Sequence, residues 1–224
     1  MAQNDLAQIP YKQVSFSQDE MIRRSESFYQ FMDKRRSVRD FSDKDVPVEI
    51  INNIIKTAST APSGAHKQPW VFCVIRSSDL KKRIRALAEE EEKKNYAGRM
   101  SERWIQDLLP LGTDDVKEFI TIAPWIIVVM KKSYDFDSNG KKMNNYYVNE
   151  SVGIASGFLI SAIHNAGLVT LTHTPSPMNF IAEALNRPVN EKPYLLLPVG
   201  YALETCAVPD IERKSLEEIA IYYK

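Results

Sequence analysis

Cysteine is nearly missing from this chain. Cys73 and Cys206 are the only two in 224 residues, and they make no CxxC pair and no metal-ligand spacing. Cys73 lies in an apolar run and reads as a core residue; neither thiol has an electropositive, exposed setting in sequence, which argues against a thiol nucleophile. Histidine is scarce as well. His66, His164 and His173 are scattered and form no ligand cluster, so no metal site is expected. Charge of one sign is absent: Lys plus Arg equal Asp plus Glu at 29 each. A balanced chain is not a general nucleic-acid binder, although a local anion site stays open. Residues 1–15 are polar and hold no apolar core of a signal peptide. The most apolar stretch, Gly153 to Gly167, is shorter than a bilayer span and contains His164 and Asn165. A cytoplasmic protein without membrane contact is expected. The GxGxxG, GxxxxGK[ST] and GxSxG patterns are all missing. Gly153 and Gly157 have a helix-packing spacing and do not form a phosphate loop.

What is present suits one domain, or at most two, with a proper core: 44% hydrophobic and 26% charged residues. Residues 1–15 read as an extended arm and residues 16–224 as a single domain. Ser17 with Glu20 forms a capping-box signature for a first helix that ends at the arginines near residue 35. Pro47 opens a second helix through Ile55. Trp70 to Ile75 reads as a strand, and Ser78 to about Asn95 as a long charged helix. The segment Gly98–Asp115 is interrupted by Gly, Pro and polar residues and reads as mobile, with a lid expected at about residues 90–120. Trp125 to Met130 is a β-branched apolar run and a buried strand. Asn144 to Asn165 is the longest helix, apolar nearly all round, so part of it should be covered by a second copy. Strands are expected at Leu168–Thr172 and at Tyr194–Tyr201, the latter interrupted by Pro198, with a helix between them near Met178–Asn186. This alternation gives an α+β or α/β sandwich.

Two stretches carry chemistry. Arg35, Arg36, Ser37 and Arg39 pack three guanidinium groups and a hydroxyl into five residues, a donor set suited to a phosphate. Taken alone, they could equally be a solvated cluster at a helix end. One helix later, Ala61-Pro62-Ser63-Gly64-Ala65-His66 is a turn of small residues that lets backbone approach a flat or bulky group. Together with Gln68-Pro69-Trp70, these pieces resemble the flavin mononucleotide (FMN) site of the nitroreductase superfamily.

A narrower resemblance runs from about Phe28 to Ile219. Arg35 to Arg39, Ala61 to His66, Glu92-Lys93-Lys94-Asn95-Tyr96, Trp104, Lys117, Gly167 to Thr170 and Leu197 to Tyr201 are similar to the iodotyrosine deiodinase family, flavin-dependent reductive dehalogenases. A generic nitroreductase usually has Asn at the position of His66 and lacks the Glu–Tyr–Lys set. The resemblance implies a nitroreductase-like α+β fold, with a central mixed sheet flanked by helices in an arm-exchanged homodimer. It implies that Arg35, Arg36, Ser37, Arg39 and Arg213 hold the FMN phosphate and tail. Ser63 and Gly64 would run along the flavin. Thr172, His173 and Thr174 would lie at its reactive edge, with the Thr174 hydroxyl donating to N5 and favouring one-electron steps. The Ala65 N–H would bind the substrate phenolate, Glu92 with Tyr96 the ammonium, and Lys117 the carboxylate. Electrons would come from a reduced nicotinamide or a separate reductase.

Glu92 and Tyr96 are four apart and share a helical face, and a free amino acid presents one cation and one anion to match Glu92 and Lys117. Without the resemblance, Glu92 is one more glutamate on a solvated face, Lys117 a surface lysine, and Thr174 the cap of a turn before Pro175. Trp104 is assigned to the core. His173 stands where vertebrate members carry a third hydroxyl residue, which leaves its contact with FMN open, and their membrane anchor has no counterpart here, as in a soluble bacterial-type member. Reductive removal of iodide from 3-iodotyrosine and 3,5-diiodotyrosine is the expected activity. A general nitro- or quinone-reductase, or a flavin-binding protein without turnover, are the alternatives.

Overall fold

The computed structural model describes residues 7–224, so the first six residues of the expected arm lie outside the described residues. The chain divides into two compact units, Met1–Arg35 and Arg36–Lys224. In the first, residues 7–17 carry no regular structure. Helix α1 (Gln18–Asp33) starts at Ser17, whose hydroxyl accepts the Glu20 N–H at 3.3 Å, and it buries no residue.

The second unit is built on a four-stranded sheet. Its strands are β1 (Trp70–Ile75), β2 (Trp125–Lys132), β5 (Val169–Thr170) and β6 (Glu191–Gly200), in the order β1-β2-β6-β5. A separate hairpin pairs β3 (Tyr134–Phe136) with β4 (Lys142–Asn144). All ladders are antiparallel, so the central sheet is not the mixed one expected; Ser37 with Thr170 is the one isolated parallel bridge among the described residues. β2 shows why helices cover both faces, because every residue from Trp125 to Met130 is buried and successive side chains point to opposite sides. Ile127 and Val129 join Leu197 and Val199 of β6 in one core. There they pack with Ile51, Ile54 and Ala58 of α2 (Val48–Ser59) and with Val152, Ala155, Leu159 and Ile163 of α6 (Val148–Asn165). Ile126, Val128, Met130 and Leu196 face a second core. That core holds Ile84 and Ala88 of α3 (Ser78–Lys94), Phe119 and Ile120 of α5 (Phe119–Ile122), and Ile181 and Ala184 of α7 (Asn179–Ala184). The result is an α+β sandwich with a central sheet between helical layers. α4 (Glu102–Leu108) follows α3, and α8 (Leu216–Ile219) ends the chain.

Three elements differ from the sequence expectation. β6 is continuous through Pro198, which sits opposite Ile126. The effect of Pro198 falls on its other neighbour. Val169 pairs with Gly200, Thr170 with Val199, and His173 with Leu196. In that register Pro198 faces Leu171 and has no N–H to donate there. β5 therefore stops at Thr170 and not at Thr172, and re-pairs only at His173, whose N–H donates to Leu196 O at 2.9 Å. The long helix starts at Val148 and not at Asn144, because Tyr147 adopts a left-handed conformation at φ 46° and breaks the helical path. α6 is also one-sided in this chain: Ile154, Gly157 and Phe158 are exposed on the face opposite its core residues. Among the described residues no helix is long and apolar enough to cross a membrane, and no cluster of His, Cys, Asp and Glu could hold a metal ion.

Candidate active site

The end of β5, the C-terminal turn of α3 and the loop before α5 enclose a cleft with about 690 Å³ of empty space, partly open to solvent. Seven residues singled out in the sequence meet there: Arg39, Glu92, Tyr96, Lys117, Thr172, His173 and Thr174. Arg39 and the Thr172–Thr174 segment form the floor. They are set side by side because Val38 N–H donates to Thr170 O at 3.2 Å, which lays the arginine motif along β5.

Glu92 and Lys117 face each other across the lid side. Both are buried, at 7% and 3% exposure, and the charged atoms are 3.9 Å apart, too far for a hydrogen bond. Burial pushes the Glu92 carboxyl up despite the Lys117 charge. Burial also pushes the Lys117 ammonium down despite Glu92. Desolvation thus outweighs the mutual attraction on both sides. The Lys117 ammonium donates to Asp114 O, and Tyr96 OH donates to Thr113 O at 3.1 Å. Glu92 is therefore not a solvated member of the acidic run, since the last turns of α3 rotate it inward.

His173 is buried at 7% exposure, with Nε2 lacking a hydrogen-bond partner. Burial lowers its pKa to about 3, and the nearby Lys117 and Arg39 charges add to the effect, so the ring is neutral at pH 7. Phe119 packs edge-on against it with centroids 5.4 Å apart.

The other expected residues lie elsewhere. The Arg36 guanidinium donates to Pro209 O, which ties the front motif to the tail that carries Arg213 four residues on. Ser37 bridges to Thr170. Arg35 is the last residue of the first unit. Ser63, Gly64 and Ala65 do not line the cleft; Gly64 lies beside the start of α6, its N–H donating to Ser151 Oγ at 3.4 Å. Ala65, His66 and Gln68 all have positive φ, at 49°, 53° and 46°. Three left-handed non-glycine residues in four positions mark a backbone held out of its preferred wells.

Trp104 is a correction. It is 50% exposed and lines the cleft, because α4 has only seven residues and buries none of them. Asn95, part of the family pattern but given no role from the sequence, is buried in the cleft at the join between α3 and a π-helical turn, Asn95–Arg99. π-turns often accompany functional positions, but nothing in the local composition announces one here.

A flavin phosphate needs fixed cations and hydroxyls. Arg39 on the floor is such a cation, with Arg36 and Ser37 next to it along the chain; Thr172 and Thr174 add hydroxyls for the rest of the cofactor, and the unpartnered His173 Nε2 calls for a polar group from outside the chain. The donor set fits FMN.

The Nitroreductase family model matches residues 32–201. Iodotyrosine deiodinase of Haliscomenobacter hydrossis is 55% identical over 96% of this chain and 97% of its own length. Iodotyrosine deiodinase 1 of Homo sapiens is 45% identical over 98% of this chain and 76% of its own length. Among solved structures, a crystal structure of oxidized iodotyrosine deiodinase bound to FMN and 3-iodo-L-tyrosine superposes with a TM-score of 0.75. It is 28% identical, covering 88% of this chain and 99% of its own. With the cleft, its facing charges and these similarities together, the chain belongs to the iodotyrosine deiodinase family within the nitroreductase family.

Proposed function

We propose that this protein removes iodide from 3-iodotyrosine and 3,5-diiodotyrosine, giving tyrosine, with FMN as its resident cofactor. The observation that carries this reading is the Glu92–Lys117 pair: two buried, opposite charges that do not satisfy each other and lie beside the floor formed by Arg39 and Thr172–Thr174. A free amino acid brings an ammonium for Glu92 and a carboxylate for Lys117, and so offsets both desolvation penalties at once. FMN, when bound, supplies the two electrons that replace carbon–iodine with carbon–hydrogen, together with one proton.

The chain's own residues bind, orient and enclose. Arg35, Arg36, Ser37, Arg39 and Arg213 hold the phosphate end of the cofactor, and Ser63, Gly64, Thr172 and His173 lie along it. Thr174 OH is a donor at the cofactor's N5. Glu92 with Tyr96 takes the substrate ammonium, and Lys117 the carboxylate. The Ala65 N–H holds the phenolate oxygen, which leaves the halogen-bearing ring carbon able to accept the proton. Residues at about 90–120 act as a lid over a single domain spanning 16–224. Closure excludes water and strengthens every charge contact beneath it.

Because the Ser63–Ala65 turn does not line the cleft of its own chain, we assign it to the cleft of a second copy in a homodimer. The arm, residues 1–15, and the C-terminal tail are exchanged across that interface. The exposed Ile154 and Phe158 of α6, and Ile219, Ile221 and Tyr222 of the tail, suit burial of this kind; obligate interfaces usually cover more than about 2,000 Å². A monomeric mass at micromolar concentration with flavin bound would end this part of the reading. A reduced nicotinamide or a separate reductase is the electron source. The two free thiols, Cys73 and Cys206, suit a reducing cytoplasmic setting.

The test of function is reoxidation. The flavin of the purified protein is bleached with dithionite and iodotyrosine is added. Fast reoxidation with release of iodide supports the reading. Reoxidation by nitroaromatics alone selects a general nitroreductase, and no reoxidation by either leaves a flavin-binding protein without turnover.

A further inference from the structure

We propose that Glu89, braced by Arg85, is a positioning residue that sets the distance between the two charges that read the substrate, by holding the backbone of Lys117 while Glu92 enters the cleft one turn further along α3. This inference rests on the reading of Glu92 and Lys117 given above.

Lys117 lies in the irregular stretch between Gly112 and α5, and its carbonyl accepts the Ile120 N–H of α5 at 3.1 Å. Its own N–H is held by a contact across 28 residues, donating to Glu89 Oε1 at 2.8 Å. The same oxygen accepts Arg85 Nε at 2.6 Å. Arg85 reaches past Glu89 to the next turn of chain, where Nη1 donates to Thr121 Oγ1 at 3.0 Å and Nη2 lies 3.7 Å from the Glu118 carboxylate. One helix thus grips residues 117–121 through a guanidinium–carboxylate pair. Lys81, one turn before Arg85 on α3, adds a second grip by donating to Thr121 O at 3.2 Å and Ala123 O at 2.8 Å.

Glu89 and Glu92 are three apart and so share a face of α3, with a rise between them of about 4.5 Å along the axis. The helix acts as a ruler. One of these two side chains carries a charge into the cleft, and the other fixes the backbone from which the opposite charge extends. Burial raises the Glu89 carboxyl, but the Lys117 N–H and the Arg85 guanidinium outweigh it and hold Glu89 below the usual glutamate range, so it is ionised for this task at neutral pH. The competing role is purely structural: an acid near the start of the short helix α5, where a negative charge is favourable. The two roles differ in what they predict for ligands that lack the amino-acid charges.

The experiment uses the FMN-loaded protein. Dissociation constants for 3-iodotyrosine and for 2-iodophenol are read from the flavin spectrum in wild type, Glu89→Ala, Glu89→Gln and Glu92→Gln, with flavin content and melting temperature recorded for each. Glu89→Ala is expected to weaken iodotyrosine by about tenfold and to leave 2-iodophenol within about twofold. Glu89→Gln, whose amide oxygen can still accept the Lys117 N–H, should recover most of the loss. Equal losses for the two ligands, or unchanged iodotyrosine affinity in Glu89→Ala, would overturn the proposal. If Glu92→Gln also leaves iodotyrosine binding intact, the zwitterion reading falls and the positioning role with it. If Glu92→Gln weakens binding and Glu89→Ala does not, the positioning role falls alone. Should Glu89→Ala fail to fold, Arg85→Gln, which frees Glu89 without removing it, is expected to reduce the preference for iodotyrosine over 2-iodophenol by about threefold; no reduction would overturn the proposal.

Discussion

On the floor of the cleft, Thr172, His173 and Thr174 follow β5 after Leu171. His173 is tied by two backbone hydrogen bonds to Leu196, whose side chain is fully buried. On the lid, Tyr96 lies on the π-turn, Met100 just after it and Trp104 on the seven-residue α4; Gly98 within the turn and Gly112 beyond α4 are both at positive φ. The lid's ties are mainly polar: Arg99 to Glu91 at the surface, and the part-buried Tyr96 OH to Thr113 O. An exposed ion pair of this kind contributes little, whereas burying a leucine side chain is worth about 1.5–3 kcal/mol. A rigid floor suits a resident cofactor. A loosely tied lid suits a substrate that must enter and leave, since segments that move are drawn from the least stable parts of a fold.

The difference should be largest in stability. Leu196→Ala should cost about 2–5 kcal/mol through the cavity it leaves, while Leu109→Ala, at a site 63% exposed, should stay within about 0.5 kcal/mol. Urea unfolding of both variants checks this, and comparable losses would remove the contrast.

Next in size is acid sensitivity, which belongs to the floor. The folded pKa of His173 is lowered to about 3 from an ordinary 6.5. The unfolded chain therefore binds the proton first. The stability linked to a neutral His173 is fully present above pH 6.5 and is lost as pH falls toward 3, at up to about 1.4 kcal/mol per pH unit. His173→Thr should flatten the melting temperature across that window. An unchanged slope would assign acid sensitivity to other groups.

The lid should reveal itself in substrate choice. Glu92→Gln and Lys117→Gln should each weaken iodotyrosine by roughly 10- to 100-fold, from a charged bond worth about 1.5–3 kcal/mol, and barely affect a halophenol. Affinity should also fall as acid protonates Glu92, beginning above the ordinary 4.5 because burial raises its pKa. It should fall in base as Lys117 deprotonates, beginning below 10.5. A flat profile over both limbs would contradict the pairing.

The floor's smaller effect is that of Thr174→Ala. Loss of one neutral hydrogen bond, about 0.5–1.5 kcal/mol, should slow deiodination by a few-fold to tenfold and spare nitro reduction. Unchanged deiodination would leave Thr174 as a turn cap.

The two regions were also unequally legible in the sequence. β2 could be read directly, because six consecutive buried residues leave an apolar run with one interpretation. The floor's breaks could not. Pro198 suggested an interrupted β6, but the missing N–H was felt by β5, and register is a property of two strands. Only the family resemblance singles out Glu92, because the acidic run Glu89–Glu92 has no local mark of which carboxylate turns inward. Glu89 reaches Lys117 across 28 residues, so no spacing rule would find it. Trp104 reads as core because large aromatics usually bury, and only the shortness of α4 leaves it at the cleft.

Hydrogen exchange on the FMN-loaded protein, with and without 3-iodotyrosine and again with 2-iodophenol, tests most directly the claim that the floor is preformed and the lid closes on an amino acid. The account predicts strong new protection of amides 95–117 with iodotyrosine, little with 2-iodophenol, and no change in β5, β6 and residues 172–174. Equal protection of the lid by both ligands, or protection confined to the floor, would contradict it.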